Sequence, residues 1–585
     1  MKRVILAEKP EQALAYAQAL GCYERRGEMY FLSSSSILKG ELMIVYASGH
    51  LFNYPPAEDN WRLENLPLVE VDFSYQLKKG KEVKKLFQTI SSAVTQADEI
   101  IIATDSDREG ERIAYVTLSQ IPGALEKIRY RLWNNSLTKK GVERAFQDLR
   151  NPKDSYAYYL EAEARAQSDW LVGMNLSPLV TLELQEKGLL PRKKGAAMSV
   201  GRVQTAIVHL VCKNDQAIQS FIPQEYAKLY LEERDTKQEF IHKEPFFNSK
   251  EVLEKFRGMK DEAVVTEVLE ETCTKQAPLL FDLSDLQAYA ASKWKMTATE
   301  VLAIAEKLYL KKFLSYPRTE SHVIGRYEFE ELRANIASYQ EVLNFYFPLA
   351  HPEARKEYVD DKQAQKHQAI IPTGNIPTPH QLTKEEWLIY VAVVKRSLLI
   401  FAKDCSYVKT RVTVVNNGLS FIKRGRKIID FGYLAYMDAI PKNFDLAPYT
   451  VGQRLSVKAR IKTDHTKPPK RFTEARLIKE ILPKYGLGTA ATRAGMIKLI
   501  QERNYVQKHK ETGQFYPTNK GYLLIRQLKD NEFADPHATG GWEYFLSQIG
   551  QGQTEMTEFV SAIKDKIAAQ VRAVQKRSQG GKDES

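Results

Sequence analysis

The stretch "ATDSDREGE", residues 103–111, sets three carboxylates at alternate positions, Asp105, Asp107 and Glu109, directly after the apolar run Ile100, Ile101 and Ile102. Like charges this close repel, so they need water, basic partners or a cation. Hard oxygen ligands on a short turn suit Mg²⁺, which takes one or two carboxylates and keeps its other positions for water and phosphate oxygens. The same residues also read as an acidic first helical turn, with Asp105 and Asp107 at a helix N-terminus and Glu109 and Glu111 in solvent. A second candidate is "AEKP", where Glu8 and Lys9 stand side by side. The carboxylate suits general acid or base work and the ammonium suits stabilising phosphate charge. A strand-end ion pair in water explains them as well.

Farther along, "SYPRTES" puts Tyr316 before Pro317, with Arg318 two positions on. A phenol titrates near pH ~10, so as a nucleophile it needs a neighbouring cation or base, and an arginine can grip a phosphate with two parallel hydrogen bonds. Tyr-Pro pairs also serve plain turns. His367 in "QKHQAIIPT" offers a hydrogen bond to a phosphate or a structural contact. The basic loops "LPRKKG" and "DHTKPPKRF" suit a phosphate backbone with bases stacked on nearby aromatics, or a solvated surface.

The elements that must position these groups follow from periodicity. "RVILAE" reads as a buried strand and "EQALAYAQALG" as the helix after it; "ADEIIIATD" and "REGERIAYVTLSQI" repeat the unit. Two such units predict a parallel sheet flanked by helices, with ligands beyond the carboxyl ends of the strands, where Glu8 and Asp105 fall. Thr297 and Glu300 form a capping box opening a helix with a buried stripe of Val301, Leu302, Ala305, Leu308 and Tyr309. That helix ends near Phe313 and leaves Tyr316 on a loop. Residues 155–215 read as helical around "PRKKGAAMSVGR", and 282–402 and 473–574 are helical again. Residues 216–275 and 405–460 read as strands, with Asn417-Gly418 a hairpin turn. A β-rich segment in two pieces around a helical one predicts that the chain leaves one domain, builds another and returns.

The expected division is 1–150 as an α/β domain, 151–215 with 461–575 as a discontinuous helical domain, 216–278 with 403–460 as a discontinuous β-rich arch, and 279–402 as a helical domain carrying Tyr316. The tail 576–585, "KRSQGGKDES", is expected to be disordered.

Composition limits the partners. In 585 residues, 85 Lys+Arg against 73 Asp+Glu give a net charge of +12, which favours a polyanion or makes a basic solvated surface. Cys22, Cys212, Cys273 and Cys405 form no C-x-x-C pair, so neither a zinc ribbon nor a disulfide framework is expected, and a reduced, cytoplasmic setting is the default. No apolar run approaches the roughly 18 residues of a membrane span. The N-terminus turns polar too early for a signal peptide.

Taken in order, these motifs resemble the type IA DNA topoisomerases, on the topoisomerase III branch. "AEKP" with "ATDSDREGE" resembles the family's Toprim site, "SYPRTES" its tyrosine motif and "HQAIIPT" its histidine motif. "RLWNNSLT", "ARAQSDWLVGMNLS", "MSVGRVQTA", "GLGTAATRAGMIKLIQERNYV" and "YPTNKG" also match in character and order. The resemblance implies a multidomain α/β plus α and β fold, with a Toprim domain on a toroidal core of helical domains and a β-rich arch. It implies that Tyr316 attacks a single-stranded DNA phosphodiester and holds the 5′ phosphate, and that Arg318 positions that phosphate. Glu8 would be general acid or base, and Lys9 would stabilise developing charge. Asp105, Asp107 and Glu109, with Glu8 at the same edge, would hold Mg²⁺. His367 would contact the scissile phosphate, and Ser199, Arg202 and Gln204 would line the strand-binding groove.

Such an enzyme passes one strand through another and religates, relaxing negative supercoils or decatenating. Transesterification conserves the phosphodiester bond energy, so ATP is not required, and no G-x-x-x-x-G-K followed by Ser or Thr occurs: Gly80-Lys81 and Gly581-Lys582 precede Glu82 and Asp583. The implied partner is single-stranded or gapped DNA, with no membrane, a monomeric state and a nucleoid-associated cytoplasmic location; helicase or single-strand-binding partners stay open. A Toprim-type Mg²⁺-dependent nuclease or primase is the alternative, and a nucleic-acid-binding protein without catalysis a third. The chain departs from the branch at Arg112, where an apolar residue is common, at Gln368, where a second histidine is frequent, and at Glu320, where Asp is usual. It also lacks cysteine-rich zinc modules, so no structural zinc is expected.

Overall fold

The aliphatic runs Lys2–Ala7 (KRVILA) and Glu99–Ala103 (EIIIA) form neighbouring parallel strands, buried as strands covered on both faces must be. Their register pairs Ala7 with Ala103, so Glu8 and Asp105 leave the sheet at the same edge. In this computed structural model, which describes all residues except 194, 439, 440, 584 and 585, and side chains through Lys576, the sheet has six strands. Their order is Glu24–Arg26, Met29–Leu32, Glu41–Tyr46, Lys2–Ala7, Glu99–Ala103 and Ile128–Arg131. The last four pair in parallel, and the first two add an antiparallel edge. Helices Pro10–Leu20 and Arg108–Ser119 start just beyond the two central strands, directly after the acidic residues.

A 34-residue helix, Lys153–Glu186, runs past the six-stranded sheet and packs on helices Arg202–Gln219, Pro536–Gly550 and Met556–Asp583 around one shared apolar core. The last of these carries helical backbone through Asp583, where a disordered tail is expected from composition; residues 584 and 585 lie outside the described residues. Up to the start of that tail the helix has a cause inside it: Phe559, Ile563, Ile567, Val571 and Val574 form a buried stripe at helical spacing.

Three strands from Glu225–Lys275 and three from Cys405–His465 close a six-stranded barrel. Asn417 (φ 45°) and Gly418 (φ 77°) turn its Cys405–Asn416 and Leu419–Asp430 hairpin in the two left-handed positions that a two-residue turn demands. Between the barrel's halves the chain builds a separate core around Phe281, Val301, Leu308 and Tyr390. There Thr297 and Glu300 make the capping box of helix Ala298–Leu310. Beyond it the Tyr316 loop lies along "HQAIIPT": Ser315 N donates to Ile371 O (2.9 Å), and Ser315 Oγ to Ala369 O (3.1 Å). No helix among the described residues is long and apolar enough to cross a membrane.

Candidate active site

Tyr316 meets the acidic sheet edge. Its side chain is 3% exposed, it packs into the apolar core of the sheet domain, and its hydroxyl donates to Asp107 Oδ2 at 2.7 Å and to Asp105 Oδ2 at 3.3 Å. Its backbone N–H donates to Asn135 O (2.9 Å). The same seam is crossed by Trp133 Nε1 to Lys366 O (2.9 Å), Arg150 Nη2 to Gln365 O (2.9 Å) and Arg144 to Glu328 (3.2 Å). Residues more than two hundred positions apart thus form one site.

The acidic loop is held from beneath. Asp107 is the N-cap of helix Arg108–Ser119, its Oδ1 accepting from Gly110 N at 2.8 Å. Arg131, fully buried, pairs with Glu111 and donates to the carbonyls of Thr104 (2.9 Å), Asp105 (2.6 Å) and Leu132. Lys9 Nζ bridges Glu8 Oε1 and Asp105 Oδ2, both at 2.6 Å. Gln12 donates to Asp105 Oδ1 and accepts from Lys9 N (3.1 Å). Glu109 is bound by His50.

These contacts set the ionisation. Burial, then the charge of Asp105, raises Glu8 to about 8 against the pull of Lys9. Burial works against the Asp105 carboxylate too, yet Lys9, Arg318 and Gln12 hold it below the usual range. Lys9, penalised by burial, is nevertheless pushed up by Asp105 and Glu8. Burial is likewise outweighed at Glu109, which the His50 contact lowers to about 2. Burial and the charges of Asp105 and Asp107 push the Tyr316 phenol well above its ordinary value, with Arg318 pulling the other way.

In front of these groups lies a cavity of about 520 Å³, lined by Asp107, Glu109, Arg318 and His367 on one side and by Arg165 and Thr489 on another. Arg318 donates from Nε to Glu306 (2.6 Å), leaving the rest of its guanidinium for the cavity. His367 keeps Nδ1 buried without a hydrogen-bond partner, and burial holds the ring toward its neutral form. Ser199, Arg202 and Gln204 do not line this cavity. Arg202 is 1% exposed and binds Asp169 (2.8 Å) and Glu543 (3.1 Å); Gln204 is 4% exposed and donates to Ser199 O (2.8 Å). The helix that starts at Arg202 packs its first turn inward, and it is Asp169 that reaches the cavity wall.

The departures from the family pattern are built in. Arg112 pairs with buried Glu163 (3.0 Å), alongside the parallel pair of Arg108 with Glu161. Glu320 accepts from Ala490 N (2.8 Å), and Gln368 is buried. Glu111, Arg131 and Arg165 fall inside "ATDSDREGE", "RLWNNSLT" and "ARAQSDWLVGMNLS" without a role of their own in the sequence reading, and Gln12 and His50 stand outside every such motif. Gln12 stands three positions after Lys9 and accepts from its backbone N–H (3.1 Å), the one half of a capping box open to a lysine, whose side chain has no acceptor.

The donor set fits Mg²⁺ in one particular way. Among the described residues, the one group of three His, Cys, Asp or Glu whose ligand atoms all lie within 4.8 Å is Asp282, Asp285 and His322, not the acidic loop. The loop therefore provides no three-carboxylate cage. Asp105 Oδ2 and Asp107 Oδ2 do converge on one point, the Tyr316 hydroxyl, and two converging oxygens match a cation that completes its shell with water and phosphate.

Comparison with known proteins is consistent across the chain. A family model described as DNA topoisomerase matches residues 153–561, and one described as Toprim domain matches residues 3–137. DNA topoisomerase 1 of Alkalihalophilus pseudofirmus is 30% identical over 96% of this chain and 83% of its own length. DNA topoisomerase 3 of Bacillus subtilis is 29% identical over 99% and 82%, and that of Pasteurella multocida 28% identical over 98% and 95%. Full-length topoisomerase I from Thermotoga maritima superposes with a TM-score of 0.72 at 24% identity, covering 97% of this chain and 90% of that one.

Proposed function

The chain belongs to the type IA DNA topoisomerase family and carries its Toprim domain, and from that premise we propose that Tyr316 is the nucleophile that opens one DNA strand. Family membership favours strand passage over the nuclease and primase alternatives. The observation that carries the residue assignment is the Tyr316 hydroxyl donating to Asp107 at 2.7 Å from the far side of a domain seam.

Tyr316 Oη attacks the phosphorus, forms the phosphotyrosyl bond to the 5′ side and expels the 3′ oxygen. The phenol proton passes to Asp107, the acceptor already in place. Glu8, kept protonated at neutral pH, gives its proton to the departing 3′ oxygen, so the base and acid roles divide between two carboxyl groups whose environments differ. Lys9 keeps its charge beside both. Arg318 and His367, facing the cavity, bind the phosphate oxygens, and religation reverses these transfers without ATP. Asp105 and Asp107, with Glu109 nearby, are the residues that would hold Mg²⁺ when the phenol does not occupy them, and the ion would supply positive charge for phosphate oxygens. Arg202 acts on the strand indirectly, by fixing Asp169 at the cavity wall. The substrate is single-stranded or gapped DNA, and one chain holds all the named groups, so a monomer suffices.

Incubation with a single-stranded oligonucleotide followed by denaturation should yield a covalent protein–DNA adduct, absent in Tyr316→Phe. Free ends without an adduct would overturn the assignment of Tyr316.

A further inference from the structure

In the closed chain the two central carboxylates are fully engaged by protein donors. Asp105 Oδ1 accepts from Gln12, and its Oδ2 accepts from Lys9 at 2.6 Å and from Tyr316 at 3.3 Å. Asp107 Oδ1 accepts from Gly110 N at 2.8 Å, and its Oδ2 from Tyr316 at 2.7 Å. Lys9 and Gln12 reach Asp105 alone, and Gly110 reaches Asp107 alone. Tyr316 is the group on this edge that bonds both. Its hydroxyl therefore occupies the point where two anionic oxygens converge, and it relieves their mutual repulsion with a single polar hydrogen. Asp105 and Asp107 are also the residues that would hold a divalent cation, and the phenol already takes an oxygen of each.

We propose that the Tyr316 hydroxyl and the cation compete for Asp105 and Asp107, so that cation affinity and the hydrogen bonding of the nucleophile are linked. This rests on the reading of Tyr316 as nucleophile and of the acidic loop as the Mg²⁺ site, and adds that each occupant weakens the other. Linkage makes the effect reciprocal: whatever draws Tyr316 away tightens the cation, and the cation loosens Tyr316 by the same factor. Because the Tyr316 contact crosses the domain seam, the cation also removes one contact that holds the seam shut.

The test measures binding, with no DNA and no turnover. Tyr316→Phe keeps the ring and its edge contact with Tyr309 (centroids 5.4 Å apart) and removes only the hydroxyl. Free Mn²⁺ is counted by electron paramagnetic resonance in titrations of the full chain, and Mg²⁺ is read by competition. The folded variant should bind Mn²⁺ about ten- to a hundredfold more tightly, the scale of one lost hydrogen bond to a charged group. Asp107→Asn should weaken binding in both backgrounds. An affinity in Tyr316→Phe equal to or weaker than that of the wild type overturns the proposal. A second reading uses the wild-type fold: Mg²⁺ titration should give a tyrosine ultraviolet difference spectrum as the phenol loses its acceptors, absent in Tyr316→Phe, and a flat spectrum in the wild type overturns the proposal as well. The two readings fail separately. A wild-type adduct with unchanged Mn²⁺ affinity in the variant sinks the competition alone, whereas a wild type that forms no adduct sinks the assignment of the nucleophile.

Discussion

The hydroxyl of Tyr316 and the carboxylate of Asp107 meet at 2.7 Å across a seam between two separately folded cores, one built on the parallel sheet and one on the helices around Phe281 and Val301. Asp107 does two jobs with its two oxygens, capping a helix with one and taking the phenol with the other. Asp107→Asn keeps an N-cap of similar strength and retains a hydrogen-bond acceptor, but it removes the basic oxygen. Single-turnover cleavage should fall by about a hundred- to ten-thousandfold, the range of a lost general base, while the melting temperature barely moves. Cleavage within a few-fold of wild type would assign the proton acceptor elsewhere.

Glu8 and Asp105 share one cation, Lys9, and only one of the two acids is held in its charged form. Glu8 is raised to about 8 by burial and by Asp105, so its proton is available below that pH and lost above it. Cleavage should decline above pH about 8, and Glu8→Gln should lower the rate and remove that limb. The stability effect has a definite sign. A carboxyl raised in the folded state favours folding fully below its unfolded value of 4.5, and that contribution fades as pH rises to about 8. Thermal melts of Glu8→Gln should therefore depend less on pH over this window than those of the wild type.

What the sequence displays and what it hides differ for physical reasons. Apolar runs followed by acids place Glu8 and Asp105 at strand ends, because a buried parallel strand must end where charge begins. Asn417-Gly418 marks its turn by the backbone angles it needs. Partners contributed by remote segments leave no such local trace: His50 reaches Glu109, and Arg131, on the strand at the sheet's edge, turns inward to Glu111. The resemblance alone assigns Ser199, Arg202 and Gln204 to the strand-binding groove, and local sequence does not display that Arg202 is buried against Asp169 and Glu543, two remote carboxylates.

Arg131 and Glu111 are both fully buried, and the guanidinium also satisfies two carbonyls of the loop it supports, Thr104 and Asp105, and that of its neighbour Leu132. Arg131→Met leaves the Glu111 charge without its partner and the carbonyls without donors. Breaking one side of such a pair costs about 3–5 kcal/mol. Denaturant unfolding should show a loss of that order. The double variant with Glu111→Leu should recover much of the loss, because it removes the stranded charge. Cleavage should stay impaired in both variants, since the Thr104 and Asp105 carbonyls remain unsupported.

The seam itself should respond to single contacts. Trp133 donates to Lys366 O at 2.9 Å, while its ring lies beneath Arg131 and Arg150. Trp133→Phe keeps an aromatic face and removes the donor. A net hydrogen bond of about 1 kcal/mol corresponds to roughly a fivefold change in an equilibrium. Single-molecule fluorescence between labels on the two sides should report an open population about fivefold larger. By comparison Arg144→Ala, which breaks a half-exposed ion pair with Glu328, should change it less than twofold at physiological salt. Equal effects of the two variants would place the latch in surface electrostatics rather than in the buried seam.

Gly110 has no side chain because the loop leaves no room for one. A Cβ there would lie 2.2 Å from Asp105 O, and that carbonyl is fixed from the other side by Arg131 at 2.6 Å. Gly110→Ala cannot be absorbed by a rotamer change, since the obstacle is backbone. Either the start of helix Arg108–Ser119 or the Asp105–Asp107 turn must shift, and Gly110 N is also the donor that fixes Asp107. Overpacking of this kind costs about 1–3 kcal/mol, which calorimetry should register as a modest drop in melting temperature. The loss of function should be far larger than the loss of stability. Displacing the turn separates the two oxygens that converge on Tyr316, so both adduct formation and Mn²⁺ binding should fall by more than tenfold, a change of about 1.4 kcal/mol in each. A folded Gly110→Ala variant with wild-type adduct yield would mean that the turn can move without disturbing the nucleophile, and the tight packing of Asp105 against this helix would then serve the fold alone.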